Sequence, residues 1–557
     1  MKINRKRIIV SLLYVMTVFF ISAQADEYVV TNTNDSGNGS LRQAITDANN
    51  HAGADNIIFN IPTSDANYDA TRGVWVITPS TSLPQITDEG LTIEGGTQAT
   101  FIGSDTNPYG PEIVIDGSNN TGGYGFNAEA RGVAIGEFVI NNFSNGIGIF
   151  FKNVEGGMIY GCYIGVDATG MNKKPNSVGI SLYSHTSNIN ICSLENKLNI
   201  ISGNPIVGIS LMDTCTNNTI VNNIIGLNRT KTDTLGNGSY GNYGGLYIEA
   251  MSDSNNIFDN YVGGNNAAGI YIYQSNWNVI GNNFIGTNND YTLNLANRYY
   301  GVVIASNYTN PKPAEYNQII SNTIGYNKVS GIRIMEAGSI HNTITMNSIS
   351  FNGTEGGIWL TGSGNEWKTP PVIQSVSSSE VTGTSEPQDV VEVFCDDNNE
   401  GRIYLGTVSA DASGNFSLPL SQPIPLDNVT ATATNLQWNT SYFSNPFNKN
   451  TPVEDETVIP EKFSFSQNFP NPFNPSTTLS YYLPAGSEVE LTIFNANGKQ
   501  IKMLEKGMRS AGTHKVRWEG KDGNLNHVPS GIYIARLSCK SEGKKSIIMS
   551  RKLMLIK

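Results

Sequence analysis

Residues 269–286 read GIYIYQSNWNVIGNNFIG, and a long stretch of the chain repeats this phrase with variations. Gly followed by two apolar residues one apart recurs as GIGIF at 146, VGISL at 207, GLYI at 245, GVVI at 301, GIRI at 331 and GIWL at 357. Between the copies stands Asn-x-Ile followed by Asn-x-Ile-Gly, as in NTIVNNIIG from Asn218, NQIISNTIG from Asn317 and NTITMNSI from Asn342. The glycines at 146, 179, 208, 245, 269, 301, 331 and 357 are separated by 33, 29, 37, 24, 32, 30 and 26 residues. Steps of this size belong to solenoids. Each step holds about three short segments in which apolar residues alternate at period two, so the unit is three strands and not a helix pair. Asn and Gly fall between the segments, where turns are needed. Stacking like strand on like strand buries the alternate Ile, Val and Leu in one interior, which is a parallel β-helix. Gly+1 and Gly+3 then face inward and Gly+2 and Gly+4 outward. Steps longer than the minimum carry loops after Ile-Gly, such as those from Val166 and Leu227, expected to leave the coil on one side.

At 557 residues the chain is long enough for three or four folding units. Lys+Arg 35 against Asp+Glu 47 gives a net charge of −12, which argues against nucleic acid as a partner and against a basic membrane-binding face. The five cysteines, at 162, 192, 215, 395 and 539, show no C-x-x-C spacing and are expected to be buried free thiols. Lys2, Arg5, Lys6 and Arg7, the apolar run from Ile8 to Ile21 and the closing Ala23-Gln24-Ala25 form a signal peptide pattern over residues 1–25, with cleavage after Ala25. No later stretch has the length and apolarity of a transmembrane helix, so the mature chain is expected outside the cytoplasm with no membrane span.

The segment after the signal contains the clearest helix, with Ser40 as N-cap, an apolar face of Leu41, Ala44, Ile45 and Ala48, and Gly53 as the stop. Such a helix would cover the apolar open end of the coil. SLRQAI, DNIIFNIP, LTIEGGTQ, EIVIDGSNN and CYIGVDATG in this order resemble the secreted bacterial right-handed parallel β-helix proteins with a C-S-L-R-E-A-like N-terminal cap. The likeness spans about residues 26 to 366, and Gly39-Ser40-Leu41-Arg42-Gln43 lacks the Cys and the Glu of that cap. It implies a fold more than an activity.

The repeat stops after Gly364. Residues 370–447 alternate as short strands parted by turns such as Ala412-Ser413-Gly414-Asn415, and resemble the immunoglobulin-like spacer modules of bacterial surface proteins. The loop Asp396-Asp397-Asn398-Asn399-Glu400 is read as a solvated turn, with Ca²⁺ binding as the alternative. A polar, proline-containing linker covers 448–460. Residues 461–557 read as another β-sandwich, and Asn468-Phe469-Pro470-Asn471-Pro472-Phe473-Asn474-Pro475, Gly498, Gly512, Trp518, Ser530-Gly531-Ile532-Tyr533 and the basic tail resemble the C-terminal sorting domain of the type IX secretion system. That resemblance implies the type IX machinery as a partner and a place on, or release from, the outer-membrane surface of a Gram-negative Bacteroidota-type bacterium. The whole is expected to be all-β, a right-handed parallel β-helix followed by two small β-sandwich domains, and a monomer.

No H-E-x-x-H, G-x-S-x-G or P-loop pattern occurs, so no metal ligand is assigned and no cofactor beyond the Ca²⁺ alternative. Gly236 to Gly241 matches G-x-G-x-x-G but lies in an insertion loop with no helix after it. The residues just before the repeating glycines include no acid, and no residue is assigned a catalytic role. The outward positions instead gather Tyr247, Glu249, Tyr271 and Tyr273, with Arg333 and Trp359 on later coils. Aromatic faces with a few polar groups suit sugar rings, whereas stacking of these tyrosines on one another is the purely structural alternative. The expected function is binding of an extracellular polysaccharide or surface glycan, or adhesion. Cleavage of such a polymer by a lyase or glycoside hydrolase is the alternative.

Overall fold

The computed structural model describes residues 25–194, 197–238, 243–307, 312–449, 463–468, 470–510, 512–524, 526–541 and 546–556. Residues 1–24 of the expected signal peptide, most of the linker and residues 239–241 of the Gly236–Gly241 stretch lie outside the described residues.

From Tyr124 onward each coil contributes one strand to each of three sheets, and the coils before it lack the strand of the third. Sheet A has 11 strands from Glu27–Val30 to Thr343–Thr345, and sheet B has 11 from Tyr68–Asp69 to Ser348–Ser350. Sheet C has nine, from Tyr124–Ala128 to Gly356–Thr361. Pairing is parallel throughout except for the hairpin of Tyr68–Asp69 with Val74–Ile77. The expected right-handed parallel β-helix is the observed fold.

The repeating glycine has a steric cause. At the corner between sheets B and C, a Cβ on Gly179, Gly208, Gly245, Gly269, Gly301 or Gly331 would sit 2.4–2.8 Å from the carbonyl oxygen of the glycine one coil on. Side-chain atoms of the inward Ile or Asn residues crowd the same positions. The glycine and its successor thus both face the interior, and outward alternation resumes at Gly+2. In GIGIF at 146 the corner residue is Gly148, in register with Gly179, and not Gly146. Gly148 consequently faces in, while Phe150 remains outward, stacked on Tyr124.

The asparagines are more than turn formers. One ladder runs Asn199, Asn223, Asn260, Asn283, Asn322, Asn347, each amide donating at 2.9 Å to the Oδ1 of the next. A second runs from Asn218 to Asn342 and a third from Asn204 to Asn352, one ladder per corner. All but the terminal Asn352 are buried, and the bonds to one another and to backbone carbonyls satisfy amides that would otherwise be costly to desolvate.

The helix Leu41–Asn49 closes the N-terminal end. Ser40 Oγ accepts from Gln43 N–H at 3.2 Å, and Leu41, Ala44, Ile45 and Ala48 are buried in the coil's core. It stops at Asn50, which donates to the carbonyls of Ala48 and Asp47, three residues before the expected Gly53. A second, six-residue helix at Thr97–Ile102 was not anticipated.

The following module pairs a three-stranded sheet (Val372–Val376, Glu380–Thr384, Asn415–Pro419) with a four-stranded one (Val390–Asp396, Ile403–Ser409, Asn428–Thr434, Phe447–Asn448). It is not a detached spacer, because Phe394 and Phe443 are buried members of the same apolar core as the coils. Its acidic loop is a solvated turn only at its tip: Asp397, Asn398 and Asn399 are exposed, whereas Asp396 and Glu400 are buried. Ser350 Oγ donates to Asp396, and the N–H and amide of Asn352 donate to Glu400 at 3.1 and 3.0 Å. Glu392 accepts from Met346 N–H at 2.9 Å and from the Thr345 hydroxyl, while Ile349 and Gly401 form an antiparallel bridge. The unpaired edge of the last coil is thereby covered.

Residues 453–557 form a separate compact unit. Its two antiparallel sheets pack Trp518, Tyr481, Phe465 and Leu491 between them. The five cysteines are free, and four of them are buried.

Candidate functional site

On the outer face of sheet C the register places Tyr247 beside Tyr271 and Glu249 beside Tyr273. Tyr271 continues to Val303, then Arg333, then Trp359. The six candidate residues therefore fall in two groups, Tyr247, Glu249, Tyr271 and Tyr273 on adjacent coils and Arg333 beside Trp359, with Arg333 two coils beyond Tyr271. Outward position and accessibility are different matters here. Tyr247 is 5% exposed and Tyr271 6% exposed. Tyr243, from the insertion that begins at Leu227, packs edge-on against Tyr247 with centroids 4.6 Å apart, and Tyr247 in turn meets Tyr271 at 5.5 Å. The Tyr247 hydroxyl donates to Glu249 Oε2. Burial first, and then this bond, push its ionisation well above the ordinary tyrosine range. The Tyr247–Glu249 pair is thus closed on itself.

The open part of the face begins at Tyr271. A cleft of about 290 Å³ is lined by Ala268, Tyr271, Tyr299, Tyr300, Val303, Arg333 and Met335. Within it the Arg333 guanidinium lies 4.3 Å from the Trp359 ring centroid and 5.1 Å from that of Tyr300. One of its nitrogens donates to the Tyr300 hydroxyl at 2.7 Å. Among the described residues its partners are rings and hydroxyls, and no carboxylate pairs with it. Guanidinium geometry leaves further N–H donors for a ligand. Tyr273 flanks Tyr271 at 6.1 Å.

Two lining residues, Tyr299 and Tyr300, are absent from the candidates drawn from the sequence. Alternation counted from Gly+1 makes Gly−1 an inward position. Because glycine and Gly+1 both turn inward at the corner, Gly−1 points out, and Tyr300 joins the cluster that contains Tyr271 and Met335. The signal was present as the pair of tyrosines directly before Gly301.

Among the described residues no three His, Cys, Asp or Glu side chains gather as a metal site requires. Of the loop read alternatively as a Ca²⁺ site, Asp396 and Glu400 are occupied with the last coil, and Asp397 faces Arg402 at 3.6 Å. Burial raises the pKa of Tyr271 and so disfavours its ionisation, the opposite of what a tyrosine acting as a base needs.

Among described residues no helix is long and apolar enough to cross a membrane. A family model for the FlgD Ig-like domain matches residues 473–543, within the C-terminal unit and not within 370–447. No curated protein matches the chain. Among solved structures, the Azotobacter vinelandii mannuronan C-5 epimerase AlgE4 A-module is 13% identical, aligning 59% of this chain with 97% of that one at a TM-score of 0.35. The periplasmic alginate epimerase AlgG is 13% identical, with 55% and 69% of the two chains covered and a TM-score of 0.30. ORF18 of Geobacillus virus E2 is 11% identical over 78% of this chain and 81% of its own, at a TM-score of 0.32.

Proposed function

We propose that this chain is a secreted or cell-surface β-helix protein that binds an extracellular polysaccharide carrying carboxylates, in the cleft on sheet C. The observation that carries this reading is Arg333, a cation without a carboxylate partner among the described residues, held between the rings of Tyr300 and Trp359. Ring faces take the C–H side of a pyranose, and a guanidinium takes a carboxylate through two parallel hydrogen bonds. The remaining assignments belong to the same proposal: a signal peptide cleaved after Ala25, export by type IX secretion through 461–557, and adhesion as the biological use. Binding is preferred to cleavage, since the cleft offers recognition groups and Tyr271 holds its proton more firmly than usual.

The test is to titrate the protein with oligogalacturonate and oligomannuronate while assaying unsaturated and reducing ends. Saturable binding without new ends is expected, and Arg333→Gln should weaken it about tenfold. Release of unsaturated ends would replace this reading with a lyase. Unchanged affinity in Arg333→Gln would remove the cleft as the site.

A further inference from the structure

A second aromatic group lies where sheet C turns into sheet A. The residue before each asparagine of the 218-to-342 ladder adopts positive φ in successive coils: Asn217 (57°), Ser254 (61°), Trp277 (59°), Tyr316 (57°) and His341 (58°). This left-handed conformation disfavours any residue with a Cβ, and Asn tolerates it best. The first two coils use small polar residues there, but the last three use large rings. Trp277 stacks on Tyr316 at 4.3 Å with 8° between planes, and Tyr316 stacks on His341 at 5.0 Å. Trp438, itself at φ 67°, comes from the sandwich module and stands nearly perpendicular to Tyr316 and Trp277, at 5.7 and 6.5 Å.

Burial does not account for the choice of rings, because Trp277 remains 48% exposed and Trp438 47%. The stack ends at Trp277, where the coil below has only Ser254 at the matching position. Among the described residues no ring covers the indole on that side. Two carboxylates are bonded at this corner: Asp253 accepts from Asn276 N–H, and Glu366 accepts from the Asn439 amide.

We propose that Trp277, Tyr316, His341 and Trp438 form a second carbohydrate site, distinct from the cleft around Arg333, that takes a neutral pyranose chain. The uncovered indole faces stack on the C–H faces of sugar rings, and the neighbouring acids accept hydroxyl hydrogens while repelling carboxylated sugars. The sandwich module contributes Trp438, so this site exists only where module and coils are joined.

The test uses the full chain and neutral hexasaccharides of glucose, mannose and xylose, followed by calorimetry. At least one should bind, and Trp277→Asn, which installs the residue type of an earlier coil, should weaken that binding about tenfold while the melting temperature holds or rises. Trp438→Ala should weaken it as well, whereas Arg333→Gln should not, which separates this site from the cleft. The proposal is overturned if none of the three sugars binds or if Trp277→Asn binds as well as the parent. It is equally overturned if Trp277→Asn lowers the melting temperature by several degrees, which would make the ring a structural prop.

Discussion

Tyr247 and Tyr271 show how far alternation carries at the level of single residues. Their side chains lie outside the core of the coils, as the count from the repeating glycine requires, yet both are nearly inaccessible because Tyr243 and the neighbouring rings cover them. Period-two patterning reports which side of a sheet a residue occupies. It is silent about what a neighbouring insertion lays over that side. The double variant Tyr247→Ala/Tyr271→Ala should therefore lose stability, by about 3 kcal/mol or more, since each truncation empties a packed aromatic site. Thermal unfolding checks this, and a midpoint within a degree of the parent would mean that the tyrosines are free ligand contacts. Glu400 carries a second prediction at this scale. Burial pushes its carboxyl up to about 7 from an ordinary 4.5, against the lowering effect of two hydrogen bonds from Asn352. The folded chain binds this proton more tightly than the unfolded chain, so the contribution is complete below about pH 4.5 and is lost as pH rises through about 7. Chemical unfolding at pH 5 and pH 8 should differ by about 3 kcal/mol more in the parent than in Glu400→Gln. Equal differences would show that Glu400 is already ionised in the folded state at pH 5.

At the scale of elements, the cap helix was the most legible feature and the asparagine ladders the least. Ser40 and the four apolar residues of one helical face are local signals, and each lands where its pattern puts it. Asn-x-Ile-Gly carries a turn propensity that is equally local. Whether its amide points to solvent or along the coil axis depends on the asparagine 23 to 39 residues away that accepts from it. Pairing at that distance is set by the stacking, so the same letters reveal the turn and conceal the ladder. The sandwich motif was likewise visible, but its docking was not, because Glu392, Asp396 and Glu400 look like ordinary surface acids until the last coil's N–H and hydroxyl groups are placed against them. For the cap, Leu41→Asp sets a charge against the buried end of the core and should cost several kcal/mol. Denaturant titration of the variant checks this, and an unchanged midpoint would mean that the helix does not seal the coil.

For the whole molecule, the two ends of the solenoid are closed by unlike devices: a nine-residue helix at one end and an entire sandwich at the other. A solenoid's coils contact only their neighbours, so stability at an end depends on what replaces the missing coil. At the C-terminal end the replacement is specific. Phe443 lies against Gly357, Phe394 joins the core, and Thr440 Oγ1 and Asn439 Oδ1 accept backbone N–H groups from Ile344 and His341. Chain division after residue 452 places this junction inside one compact unit, with residues 453–557 in another. Removing residues 453–557 should therefore leave unfolding of the first unit unchanged within about a degree. Ending the chain at 366 instead exposes the edges of sheets A and B together with Ile344, Ile349 and Ile358, a template for pairing with another chain. The shorter fragment should melt well below the longer one and associate in a concentration-dependent way, as read by calorimetry and light scattering. If both fragments melted together as monomers, the sandwich would be an attachment to the coil and not its closing element.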